Sequence, residues 1–151
     1  MSEFVPASHV YVDNPATTVD EVLRFLSQTA VSYGVANVAD KVFEAFKARE
    51  AEGTTGMMGG FAIPHAKTAE VSTPTVIVVK FAGAVEWATM DSKPVSCAIA
   101  LLIPDDGTQT EQLRLLSKVA VLLMDADFRE KVLASSDPQE IAGLINSGLE
   151  S

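Results

Sequence analysis

Two nearly unbroken apolar runs, TVIVVKFA (75–82) and VSCAIALLIP (95–104), constrain this chain more than any other feature. Runs of β-branched and apolar residues without polar alternation suit strands that are covered on both faces, as in α/β sheets. Between them, EWATMDSKPV (86–95) reads as a connection that turns at Asp91-Ser92. A sheet covered on both faces needs helices to cover it, and the rest of the sequence supplies them. Thr18-x-x-Glu21 is a capping-box pattern before a stripe of Val19, Val22, Leu23, Leu26 and Ala30, which is expected to end at Gly34. Asn37 is positioned to cap a second helix carrying Val38, Val42, Phe43 and Phe46 and ending near Gly53.

Thr110 opens a third helix, with Leu113, Leu116, Ala120 and Leu123 as its apolar face. A shorter one follows Asp125 or Asp127, with Phe128, Val132 and Leu133. Asp137-Pro138-x-Glu140 starts the last, which uses Ile141, Leu144 and Ile145 and is expected to stop at Gly148. HVYV (9–12) and FAI (61–63) read as short strands, the second halted by Pro64. The expectation is one α/β domain spanning residues 1–151, a layered fold with a mixed β-sheet flanked by helices on both faces.

Composition narrows the function classes. The 20 acidic residues against 11 basic ones give a formal charge of −9, which argues against nucleic-acid binding. One cysteine, Cys97, rules out an internal disulfide and a cysteine-based zinc site, and is expected in the core. No apolar run has the length of a membrane span, and MSEFVPASHVYVD lacks the pattern of a signal peptide. A cytoplasmic protein without direct membrane insertion is the expectation. No phosphate-loop, dinucleotide or serine-hydrolase motif occurs. His9 and His65 lie far apart with no second ligand type at metal spacing, so neither a metal nor a cofactor is expected.

What remains is the neighbourhood of GGFAIPHAKT (59–68). Pro64 pushes Ile63 toward extended geometry, so the strand is expected to end abruptly and present His65 at its carboxyl end. Ligands of α/β sheets bind beyond such ends. The preceding loop GTTGMMGG (53–60) offers the hydroxyls of Thr54 and Thr55 and the free N–H groups of glycines such as Gly56. Arg49, one turn earlier, offers a guanidinium suited to phosphoryl oxygens. An imidazole that is largely uncharged at neutral pH is a nucleophile, so this set could hold a phosphoryl group on a ring nitrogen. The residues by themselves leave His65 open between that role and a structural one. Arg49 is likewise open to a surface ion pair and Thr55 to a turn, whereas His9 is read as structural or exposed. Trp87, Met57 and Met58 are read as core or as a docking surface for partners.

The run REAEGTTGMMGGFAIPHAKT (49–68) resembles the signature around the phosphorylated histidine of fructose/mannitol-type EIIA domains. These belong to the bacterial phosphoenolpyruvate-dependent sugar phosphotransferase system. The likeness continues in order through EWATMDSKPV, VSCAIALLIP, EQLRLLSKVAVLL (111–123) and FREKVLASSDPQEIAGLI (128–145). It implies a phosphotransferase component that takes a phosphoryl group from phosphorylated HPr on His65. The group then passes to a cysteine of a cognate EIIB domain, which serves the EIIC permease. Arg49 and Thr55 match the family's arginine and threonine. Many members have a second histidine where this chain has Gln112, whose amide can donate a hydrogen bond but cannot become cationic; the role expected of Gln112 is to donate to a phosphoryl oxygen or to orient His65. A fructose-type carrier is favoured, with mannitol or galactitol types open. A nitrogen-related regulatory EIIA paralogue shares the same chemistry and stands as the alternative; an unrelated hydrolase using His65 as a base ranks behind both.

Overall fold

The computed structural model describes residues 4–107 and 110–150. After a short 3₁₀ turn (Ala7–His9), the order is β1 (Val10–Asn14), α1 (Val19–Ser32), α2 (Ala39–Glu52), β2 (Phe61–Ala62) and β3 (His65–Thr68). There follow β4 (Thr75–Val85), β5 (Val95–Pro104), α3 (Thr110–Leu122), α4 (Ala126–Ala134) and α5 (Pro138–Glu150). The sheet runs β1-β4-β5, and β5 pairs on its other side with both β2 and β3. β4 and β5 are antiparallel; β1, β2 and β3 join the sheet by parallel pairing, which makes it mixed.

The two apolar runs are its central strands, and their alternate residues feed two cores. Ile77, Val79, Ala98, Ala100 and Leu102 pack with Val22, Leu23, Leu26, Val42 and Phe46 of α1 and α2. Val76, Val78, Cys97, Ile99, Leu101 and Ile103 pack with Val119, Phe128, Val132, Ile141 and Ile145 of the three C-terminal helices. The fold is the expected mixed sheet between two helical layers.

Local differences have physical causes. His9 lies in the 3₁₀ turn rather than in β1, with Nδ1 3.0 Å from the Val76 carbonyl and its ring stacked on Tyr33. The Thr18 hydroxyl accepts from Glu21 N–H at 3.1 Å as expected, while the Glu21 carboxylate reaches back chiefly to Thr17, accepting from its N–H at 2.7 Å and its hydroxyl at 3.0 Å. Val38, not Asn37, is the N-cap of α2, and its side chain is exposed. The N–H groups of Asn37 and Val38 are instead satisfied by Glu70, each at 2.7 Å, where the positive end of the helix dipole also favours a carboxylate. On α3, Leu113 is exposed and Val119 is the fully buried residue. α5 runs through Gly148 rather than stopping there, and the glycine lets the helix lie close against Leu122: a Cβ on Gly148 would sit 2.7 Å from both Leu122 methyls. Asn146 ties the amino-terminal segment to α5, accepting from Phe4 and Val5 N–H and donating to Val5 O, all at 2.9 Å.

Candidate functional site

The site grows from the carboxyl end of α2. Gly53 terminates that helix, and the chain turns into the loop 53–60. Thr54 O–H donates to the Ala88 carbonyl at 2.6 Å while its oxygen accepts from Gly56 N–H at 3.0 Å. Thr55 is buried; its N–H donates to Glu50 Oε1 at 3.2 Å and its hydroxyl donates to Glu50 Oε2. The indole N–H of Trp87 donates to the same carboxylate at 3.3 Å. The loop then folds back on β2, through Met57 N–H to Phe61 O at 2.8 Å and Ile63 N–H to Thr55 O at 3.0 Å. Gly59 and Gly60 make this return possible, with φ of 67° and 87°.

β2 ends before Pro64 as expected, but a second strand resumes directly after it. The proline interrupts the sheet's edge between β2 and β3, and the Pro64 carbonyl still accepts from Leu101 N–H at 3.1 Å. In a strand the nitrogen and carbonyl of one residue point the same way, so the Pro64 nitrogen also faces β5 and the rung that it cannot donate is where the edge divides into β2 and β3. His65 therefore lies just past the carboxyl end of β2 and is also the first residue of a resumed strand, in register with Leu101.

The ring of His65 is held at both nitrogens. Nδ1 lies 3.1 Å from the Ile63 carbonyl, which can only accept, so Nδ1 carries the proton. Nε2 then has the lone pair, and accepts from Arg49 Nε–H at 3.0 Å. The Arg49 guanidinium is anchored in turn, Nη1 donating to Gly53 O at 2.6 Å. Burial pushes the His65 pKa below the ordinary histidine value, and the Arg49 charge pushes the same way, against the Ile63 hydrogen bond and the charges of Glu50 and Glu52. The result is a half-buried, neutral imidazole whose basic nitrogen faces a cation.

The structure thus brings His65 and Arg49 into direct contact and places Thr55 behind them, its hydroxyl taken by Glu50. Thr54 and Gly56 shape the loop against the 87–89 segment. Gln112, in the first turn of α3, lines a cavity of about 340 Å³ with His9, Val76, Leu101 and Leu115. Its Oε1 is buried without a hydrogen-bond partner among the described residues. No described hydrogen bond joins it to His65; Leu101 lines the same cavity as Gln112 and is the strand partner of His65. A larger cavity, about 730 Å³, lies among α3, α4 and α5 and touches none of these residues.

Cys97 is fully buried, which pushes its thiol up to about 12. Trp87 belongs to the core with its N–H on Glu50; Met57 packs at the edge of the other core, and Met58 is half-buried. Glu50 is the site residue that sequence reasoning missed. A carboxylate in the last turn of a helix opposes the dipole, and that local conflict was the available signal. Among the described residues, no group of three or more His, Cys, Asp or Glu could hold a metal ion, and no helix is long and apolar enough to cross a membrane.

Residues 3–148 match the family described as "Phosphoenolpyruvate-dependent sugar phosphotransferase system, EIIA 2". A "PTS system fructose-specific EIIA component" from Haloferax volcanii is 33% identical over 150 residues, covering 99% of this chain and 97% of that protein. A "Nitrogen regulatory protein" from Pseudomonas aeruginosa is 31% identical over 107 residues, 71% of this chain and 69% of that one. Among solved structures, nitrogen regulatory protein IIA-Ntr from Neisseria meningitidis superposes with a TM-score of 0.87 at 29% identity, covering 95% of this chain and 97% of the other. With its sheet, its helical layers and nearly its whole length matched, the chain belongs to the EIIA 2 family of the phosphoenolpyruvate-dependent sugar phosphotransferase system.

Proposed function

We propose that this domain, taken as the whole of residues 1–151, is a phosphocarrier with His65 Nε2 as the acceptor atom. The observation that carries the reading is the two-sided hold on the ring. Nδ1–H is fixed on the Ile63 carbonyl and the Nε2 lone pair points at Arg49. In the first step that lone pair attacks the phosphorus of phosphorylated HPr. The new Nε2–P bond forms as the N–P bond to HPr breaks, and the electron pair of that bond returns to the HPr ring. In the second step a thiolate of an EIIB domain attacks the same phosphorus, forming S–P, and the Nε2–P electrons return to His65. Phosphoryl transfer passes through a loose transition state, so the protein's part is alignment and stabilisation of the equatorial oxygens. Arg49 supplies that charge; when Nε2 is phosphorylated, its guanidinium turns from the nitrogen to the oxygens. In this reading Gln112 supplies an amide donor to the phosphoryl group, Thr54 and Gly56 hold the loop, and Thr55 braces it.

The full-length match to a fructose-specific component favours a carrier in fructose uptake, upstream of EIIB and an EIIC permease. The close superposition on IIA-Ntr supports a second reading, a regulator that binds partners according to its phosphorylation state. Incubation with phosphoenolpyruvate, enzyme I and HPr, followed by intact-mass analysis, is expected to give one acid-labile phosphoryl adduct. His65→Ala abolishes it and Gln112→Ala slows its formation. No adduct under conditions that phosphorylate HPr overturns the carrier. Transfer onward to a purified fructose-type EIIB separates the two readings, since the regulator has no need of that acceptor.

A further inference from the structure

Glu50 gathers more of the site than any other side chain, although it does not touch the ring of His65. Its carboxylate accepts from Thr55 N–H, Thr55 O–H and Trp87 Nε1–H, three donors on two oxygens. Thr55 in turn accepts from Ile63 N–H at 3.0 Å, and the carbonyl of that same Ile63 holds the Nδ1 proton of His65. One continuous line therefore runs from Glu50 through Thr55 and Ile63 to His65. On the opposite side of the ring, Arg49, adjacent to Glu50 on α2, reaches Nε2. The last turn of α2 thus grips the imidazole from two directions, directly through Arg49 and indirectly through Glu50. Half-burial strengthens such a chain, because water competes less well for each bond.

The site needs an acceptor at that position, since all three neighbours present hydrogens. A carboxylate is acceptor-only, whereas a carboxamide would turn its NH₂ toward at least one of them. We infer that Glu50 is a positioning residue for phosphoryl transfer: through Thr55 and Ile63 it holds His65 in the tautomer that leaves Nε2 free to react. The inference rests on His65 being the phosphoryl acceptor, and on nothing about which protein receives the group next. It also gives Thr55 a role distinct from contact with the phosphoryl group, because its hydroxyl proton is already committed.

The test compares wild type, Glu50→Gln and Thr55→Val in the HPr-dependent phosphorylation assay, with the His65 ring nitrogens followed by ¹⁵N NMR. Glu50→Gln is expected to slow phosphorylation by about 10- to 100-fold, the scale on which small misplacements of a reacting group act. It should also move the ¹⁵N shifts toward a mixture of tautomers and change the emission of Trp87, the only tryptophan. Thr55→Val, nearly isosteric, should give part of the same loss, and the double variant should be no slower than Glu50→Gln alone. A folded Glu50→Gln protein with the wild-type rate and ring shifts overturns the inference. If Glu50→Gln does not fold, Thr55→Val decides: a wild-type rate and wild-type shifts then overturn it. Should the wild type itself take no phosphoryl group, it is the carrier reading that fails.

Discussion

Gly56→Ala is expected to damage this domain more than its size suggests. Gly56 is buried, bridges to Ala62 and lies against the 88–89 segment. A methyl placed there would sit 2.8 Å from Thr89 Cγ2 and 3.0 Å from the carbonyl carbon of Ala88, and closer still to that carbonyl's oxygen. Ordinary contact distances are several tenths of an ångström longer, and the principal obstacle is backbone, which no rotamer change can remove. The Ala88 carbonyl is also pinned by Thr54 O–H at 2.6 Å, so moving it breaks a loop contact. Overpacking of this kind costs about 1–3 kcal/mol, and a domain of this size loses about 2–4 °C of melting temperature per kcal/mol.

The expected fall is therefore roughly 2–12 °C by calorimetry, with slower phosphorylation of His65 because the loop that braces Ile63 has shifted. Gly83→Ala is the internal control: nothing lies within 4 Å of its added methyl and its φ is not positive, so its melting temperature should stay at or slightly above wild type. Gly59→Ala would meet the flexible end of Arg129 at a positive φ, and should fall between the two. A Gly56→Ala protein that melts within a degree of Gly83→Ala would refute the packing argument.

Two further outcomes follow from the ring of His65. Arg49→Lys keeps the charge but cannot reach both Nε2 and the Gly53 carbonyl with a planar fork, so phosphorylation should slow by about 10-fold or more with folding intact. An NMR titration of His65 should find its midpoint below the ordinary 6.5, and Arg49→Ala should move it up. The sign for stability follows from that depression. Folding favours the neutral ring, so its contribution is fully present above the ordinary histidine value and is lost as pH falls toward the lowered one. Phosphorylation should decline with the same midpoint, as protonation removes the Nε2 lone pair.

The sheet was legible because its central strands announce themselves. TVIVVKFA and VSCAIALLIP have no polar alternation, and only a doubly covered position suits them. Pro64 was harder to read. As local chemistry it ends a strand; here it removes one rung facing β5 while its carbonyl keeps the next, so pairing resumes at once and the break becomes a means of presenting His65. The cap of α2 was read from Asn37, whereas its true partner, Glu70, lies 33 positions further along from Asn37, beyond the reach of any local pattern. Glu50 left only a local trace, a carboxylate set against the helix dipole, and what that carboxylate holds comes from Thr55 and Trp87 together. His65 and Arg49 were visible as residue types with a fitting chemistry. Their contact, and which nitrogen of the ring is free, required the fold.

The interruption at Pro64 also bears on how long any partner can stay. β2 and β3 are one edge of the sheet, and β1 is the other. The first is split into pieces of two and four residues; the second is irregular, with a register shift between Tyr11 and Asn14 and a positive φ at Asp13. Neither offers the long flat row of free N–H and carbonyl groups on which another strand could add. On the carrier reading proposed above, in which the domain receives from one partner and delivers to another, this geometry is an advantage. Without an edge to extend, a partner would be met through side chains, and its release would not wait on the breaking of a shared ladder.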